Sequence, residues 1–168
     1  VLDRLGDRPV MLAGAGLLAG GMLVGPLATG LGGLLPLWAA LGVGYSATQT
    51  PAGRLLRRSA LPEDRPALFA AQFALSHACW LITYPLAGML GAAAGLDATF
   101  LAMAAISLGA ILAARAVWPA QDPGEIAHSH ADLALDHPHL AEVPPGPGRR
   151  HTHSFVIDSL HPDWPRPA

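Results

Sequence analysis

Seven of the eight histidines lie within residues 119–168, and six of them form three His-x-His pairs. The pairs are His128-Ser129-His130, His137-Pro138-His139 and His151-Thr152-His153, while His161 stands alone. In an extended chain, residues i and i+2 point to the same side, so both imidazoles of a pair can approach one ion. Asp132 and Asp136 are near enough in sequence to add a carboxylate. Imidazole suits nickel, copper and zinc, and no thiolate is present in this segment to favour a softer ion. The spacing therefore points to a divalent metal, nickel or zinc, held by His128, His130, His137, His139, His151 and His153. One pair offers only two nitrogens, so at least two pairs must cooperate, and His161 is expected to matter little. The competing reading is a polar, His-rich tail that binds nothing. No catalytic dyad, activated nucleophile or glycine-rich phosphate loop is present, so the chain is not read as an enzyme.

The segment that carries these histidines is a material of its own. It holds nine of the 16 prolines, and three arginines against seven acids. Proline at this density opposes both helix and central strand. A mostly disordered tail over 119–168 is expected, with modest metal affinity, because ordering the chain costs conformational entropy. The run Phe155-Val156-Ile157 through Trp164 is apolar enough to dock on something.

Residues 1–118 read differently. Only 13% of the 168 residues are charged, against about 25% in ordinary soluble domains. Pro9 to Gly53 is a run of 45 residues without Asp, Glu, Lys or Arg, Pro66 to Leu96 gives 31 more, and Ala98 to Ala114 another 17. About 20 apolar helical residues cross a bilayer core of about 30 Å. The first run is long enough for two crossings and is expected to turn at Thr29-Gly30-Leu31-Gly32-Gly33. Four transmembrane helices follow, at about 9–29, 34–52, 66–92 and 98–118. A soluble bundle would need a polar face on each helix, and Met11 to Thr29 offers none. The fold class is thus an all-α membrane protein with a disordered tail.

Every one of the ten basic residues is Arg. With four crossings they all fall on one side: Arg4 and Arg8 before the first helix, Arg54, Arg57, Arg58 and Arg65 between the second and third, the rest after the fourth. Arginine marks the cytoplasmic side, so both ends of the chain are expected there. Asp97, the lone acid on the far side, stands where a cap of the last helix belongs. A formal charge of −2 leaves no broad basic face for nucleic acid, and a single cysteine, Cys79, excludes a disulfide within the chain.

Polar residues inside a membrane are costly and tend to face protein or water. The outer spans have few. On the second, Trp38, Tyr45, Thr48 and Gln49 share a face; on the third, Gln72, Ser76, Cys79 and Thr83 make a stripe flanked by His77, Trp80 and Tyr84. Tyr45, Gln49, Gln72, Ser76, His77 and Tyr84 are the candidate lining of a solute path. His77 could relay protons, since its pKa lies near physiological pH, or could simply bond a neighbouring helix. Gly16-x-x-x-Gly20, Gly21-x-x-x-Gly25 and Gly91-x-x-x-Gly95 are read as close helix contacts, and Pro85 as a kink.

Two loops carry a resemblance. Asp3-Arg4-Leu5-Gly6-Asp7-Arg8, just ahead of the first span, resembles the signature loop of the major facilitator superfamily, Gly-x-x-x-Asp-Arg-x-Gly-Arg-Arg/Lys. Asp3, Arg4, Gly6 and Arg8 match, while Asp7 replaces the first basic residue of the closing pair. Leu61-Pro62-Glu63-Asp64-Arg65 looks like the Pro-Glu-x-x-Arg type of loop between helices ten and eleven of that family. The tail, with Asp136-His137-Pro138-His139 and Phe155 to Pro162, is similar to tails of nickel-resistance-type efflux permeases of the same superfamily. The resemblance implies helices nine to twelve of a twelve-helix secondary transporter in the plasma (inner) membrane, with the N-terminal helices of the same transporter as partners. It implies export of a small solute, a divalent metal such as nickel or an organic compound, by alternating access. It also makes Asp3, Arg4, Gly6 and Arg8 a conformational latch, and needs no bound cofactor beyond nickel or zinc on the tail. The alternative is a self-contained four-helix membrane protein serving as a metal-binding or assembly subunit.

The arginine asymmetry makes a direct prediction. Reporter fusions after Gly32 and Gly95 should signal the outside, and fusions after Ser59 and Ala120 the inside. An outside signal after Ser59 would overturn the four-span topology.

Overall fold

The computed structural model describes residues 6–120, 124–129, 133–134, 136–140 and 150–164. Helix α1 spans Asp7–Val24, capped by Gly6 at φ 76° and carrying Asp7 in its first turn, where a carboxylate favours the helix dipole. It gives way to a 3₁₀ turn, Gly25–Leu27, and α2 runs Gly30–Gln49. The reversal falls at residues 25–29, earlier than the expected Thr29–Gly33. Pro26 sits in the first turn of the 3₁₀ segment, where its missing N–H costs nothing, Thr29 is extended, and Gly30 takes φ 60°. Gly32 and Gly33 are then free to join α2. The short α3, Ala52–Arg58, starts behind Pro51.

Helix α4 is continuous by hydrogen bonding over Arg65–Val117, 53 residues. A straight helix of that length would run about 80 Å, more than twice the thickness of a bilayer core. It is broken at Gly95, whose φ of 85° and ψ of 172° are not helical. A Cβ on Gly91 would lie 3.7 Å from Thr99 Oγ1, although eight residues of straight helix advance about 12 Å. The chain therefore turns sharply at Gly95, and α4 is two helical arms, 65–94 and 96–117. Thr99 Oγ1 donates to the freed Gly95 carbonyl at 3.0 Å. Among the described residues it is this glycine turn, and no side-chain bond from Asp97, that makes the corner.

Three segments, Asp7–Leu27, Gly30–Arg58 and Arg65–Val117, are long and apolar enough to cross a membrane, and the third crosses twice if each arm is a span. Large apolar side chains point outward: Leu27 is 79% exposed, Leu81 78% and Val117 80%, whereas small Ala19 and Ala104 are buried. Such a surface would aggregate in water and is at home in lipid.

Helix α1 packs against both α2 and α4, and α2 and α4 share no extended contact. Its seam with α2 is a backbone-to-backbone approach: a Cβ on Gly14 would meet the Gly44 carbonyl oxygen at 2.7 Å, and one on Gly44 the Gly14 oxygen at 2.9 Å. Gly25 lies directly against the Phe100 ring of α4. Of the expected Gly-x-x-x-Gly contacts, Gly21 and Gly25 are used, while Gly16 and Gly20 face open space.

The described part of the tail departs from expectation. Strands β1, Glu125–His128, and β2, His151–Ser154, pair antiparallel with His128 opposite His151 and Ile126 opposite His153. Both strands fall in proline-free windows, between Pro123 and Pro138 and between Pro147 and Pro162, so the prolines bound the ladder instead of interrupting it. Leu140, Phe155 and His161 are buried beneath the hairpin.

The glycine seam is testable by melting the purified protein in detergent. Gly14→Ala should cost about 1–3 kcal/mol by overpacking against Gly44. Gly16→Ala, which points at nothing, should leave the melting temperature unchanged or higher.

Candidate functional site: an arginine-lined end, a polar helix face and a histidine cluster

The polar face of α4 is organised along a single helix. Gln72 Nε2 donates to Ser76 Oγ at 3.1 Å, and Ser76 Oγ donates to the Gln72 carbonyl at 2.9 Å. Thr83 likewise bonds back to Cys79. His77 Nδ1 is 2.8 Å from the Phe73 carbonyl, so Nδ1 is the donor of that bond. The bond goes to its own helix and not to a neighbour. The His77 ring lies 3.8 Å from that of Phe73 and 4.7 Å from that of Trp80, and Trp80 stacks on Tyr84 at 6.1 Å. Tyr45, Gln49, His77 and Tyr84 are exposed, and Gln72 and Ser76 half-buried. Tyr45 and Gln49 on α2 are not brought onto the α4 stripe, because α1 is the helix that contacts both. Polar groups held on an outer face are costly against lipid and call for protein or water.

Arginines gather at one end of the bundle. Asp7 and Arg54 form an ion pair in which Arg54 Nε approaches Asp7 Oδ1 at 3.1 Å and Nη2 reaches the same oxygen. Asp7 is nearly buried and Arg54 about two-fifths exposed. The substitution of an acid for the basic residue of the signature loop thus has a partner 47 positions away. Arg8 Nε is buried with no hydrogen-bond partner. Asp3 and Arg4 lie outside the described residues, and Gly6 serves as the α1 cap. Arg65 Nε donates to the Ala60 carbonyl at 3.2 Å. A cavity of about 730 Å³ opens here between Asp7, Arg54, Arg57, Arg58, Arg65 and Glu125 of the tail.

The tail is fastened to this end. The Ile157 amide donates to the Arg58 carbonyl at 2.9 Å, and the Arg58 guanidinium sits 5.2 Å from the Trp164 ring centroid, a cation–π distance. Phe155 packs on Trp164 at 4.9 Å.

Above that strap the hairpin collects its histidines. One nitrogen each from His128, His139, His151 and His153 lie within 4.8 Å of one another. His139 and His151 approach Nε2 to Nε2 at 3.0 Å. The i, i+2 rule operates in β2, where the His151 and His153 rings stack at 5.3 Å. His137 stands apart, its Nδ1 accepting the His139 amide at 3.2 Å, and His130 lies outside the described residues. His161, set aside on sequence, is brought in: its Nε2 is 3.0 Å from His128 Nε2 and its Nδ1 2.9 Å from Asp158 Oδ1. The signal for it was the turn Asp158-Ser159-Leu160-His161, in which Asp158 also accepts the Leu160 and His161 amides, both at 2.9 Å, a local Asx arrangement.

Crowding sets the protonation. The His128 pKa lies below 6.5, chiefly because burial disfavours the cation; its bond to the Ile126 carbonyl opposes this, and the neighbouring His151, His153 and His161 add to the depression. Burial alone raises the Asp158 carboxyl, but hydrogen bonds from the His161 ring and from the His161 and Leu160 amides prevail and hold it below 3.8. The neutral, ligating form of imidazole is thus favoured where the ring sits.

Apolar helices with outward-facing side chains, one charged end and a self-satisfied polar face define a helical integral membrane protein. Residues 1–154 match the family model of the Major Facilitator Superfamily, and the chain belongs to that family of secondary transporters. No curated protein and no solved structure matches it.

A base whose folded pKa is depressed favours the fold above its unfolded value and opposes it below. The hairpin should therefore weaken as pH falls through about 6.5, well before Asp158 titrates. Histidine-labelled NMR of the metal-free protein should show one imidazole titrating below 6.5 and the hairpin signals fading over the same range. A hairpin unchanged down to pH 5 would contradict this.

Proposed function

We propose that the protein exports a divalent transition metal, nickel being the best fit, by alternating access in exchange for protons. The observation that carries this reading is the position of the histidine cluster. It is strapped through Ile157 and Trp164 to the arginine end of the bundle, the end that charge asymmetry assigns to the cytoplasm. An ion gathered there is gathered where an exporter loads, at raised local concentration.

The residues divide the work. His128, His139, His151 and His153 collect the ion; His130 and His137 extend the supply of imidazole. Gln72, Ser76, His77 and Tyr84 on α4, with Tyr45 and Gln49 on α2, line the path, each helix contributing one wall against the companion helices of the transporter. His77, exposed on the polar face of α4, is the residue of this path that can exchange a proton with a solute that displaces it. Asp7 and Arg54, with the signature-loop residues Asp3, Arg4, Gly6 and Arg8, stabilise one of the two rocking states, since an ion pair present in one state only shifts the balance between them.

The test is metal accumulation in cells expressing the full-length gene. Wild type should lower cellular nickel, and His77→Ala should abolish most of that effect. Changing His128, His139, His151 and His153 together to Ala should weaken export at low external nickel and spare it at high nickel, because collection and passage are separate steps. Cellular nickel, cobalt and zinc that are indifferent to expression of the gene would refute metal export.

A further inference from the structure

The hydrogen bonds of the cluster fix which nitrogen of each ring carries its proton. His128 Nδ1 lies 2.9 Å from the Ile126 carbonyl, His153 Nδ1 2.8 Å from the Ser154 carbonyl, and His161 Nδ1 2.9 Å from an Asp158 carboxylate oxygen. Carbonyl and carboxylate oxygens only accept, so each Nδ1 must be the donor. In a neutral ring that leaves Nε2 as the acceptor nitrogen. The Nε2 atoms of His128 and His161 lie 3.0 Å apart, and among the described residues His153 Nε2 is buried with no hydrogen-bond partner. A separation of 3.0 Å admits one shared proton or one shared cation. Nitrogens about 2.0–2.1 Å from a tetrahedral ion are about 3.3 Å apart, and closer at octahedral angles, so the spacing also fits ligands sharing one ion.

We propose that His161 is a ligand of the tail's metal ion, and that Asp158 is its positioning residue. This deepens the collecting role argued above and rests on it. The ion is taken among His128, His139, His151 and His153, whose nitrogens lie within 4.8 Å of one another, with His161 Nε2 joining through its place 3.0 Å from His128 Nε2. A carboxylate behind a ligating imidazole fixes the tautomer and makes the ring a better donor. His161 is 5% exposed, so the arrangement is built into the hairpin's core and not spread over its surface. Five imidazoles with no thiolate favour a nickel or cobalt ion of five or six coordination over a closed tetrahedral zinc site.

The experiment uses the full chain in detergent, with cobalt(II) and nickel(II) salts as probes. Wild type should bind one ion and show a cobalt visible spectrum of nitrogen coordination. His161→Ala should raise the Kd about tenfold or more and alter that spectrum. His161→Gln, which keeps an N–H donor toward Asp158 but lacks the ligating imidazole nitrogen, should behave in the same way and so separates ligation from loss of the turn. Asp158→Asn keeps an oxygen for the turn amides and should raise the Kd by about tenfold while leaving the cobalt spectrum unchanged. If both His161 variants bind as wild type does, while the quadruple variant of His128, His139, His151 and His153 does not, His161 is no ligand and the collecting role survives without it. If wild type binds neither ion, both readings fall together.

Discussion

A hydrocarbon interior offers no partner to a backbone N–H or C=O, and every feature of residues 6–117 answers to that constraint. Helices are the open-chain solution, because each carries its own hydrogen bonds. Reversals must then be brief and placed where the chain can leave the apolar slab. Here they are built from Gly25-Pro26 with Gly30 at one corner and from Gly95 at another. The same constraint explains why Ser76, Thr83 and Thr99 bond back to their own helices: a hydroxyl in lipid finds the nearest loose carbonyl.

Once apolar burial no longer separates inside from outside, packing has to come from shape. Small residues do this work. Gly14 and Gly44 bring two backbones into contact, and Gly25 makes room for Phe100, while leucines fill the outer surface. Charge is then left to the ends, and most of it gathers at one of them. There Asp7 and Arg54 join α1 to α3, and the Arg58 carbonyl and guanidinium hold the tail. The Asp7–Arg54 ion pair and the fastening of the tail therefore share one short stretch, Arg54 to Arg58, as their common anchor.

Much of this could be read from the sequence because it depends on what the chain lacks. Runs without charge pointed to helices apolar enough to cross a membrane, and three such segments are found. What could not be read depends on pairwise geometry. Gly14 and Gly44 belong to no motif, and only the crossing of α1 over α2 makes them special, whereas Gly16 and Gly20, which do form a motif, meet nothing. Within β2 the His-x-His spacing does bring two rings together, whereas His137 bonds its own neighbour. His161 looked isolated because its partner His128 is 33 residues away. The tail's prolines suggested disorder by their number, yet the two described strands fall in windows that the prolines leave open.

The corner at Gly95 has a mechanical consequence. A single residue joins arms 65–94 and 96–117, and with so short a connector neither arm can slide or rotate far without the other. The two arms therefore move as one piece. A longer connection lies at the opposite end, in residues 59–64, where six residues bridge α3 and α4 beside the arginines. Lengthening the corner would let the arms part from one another, whereas altering the bridge would leave their coupling intact.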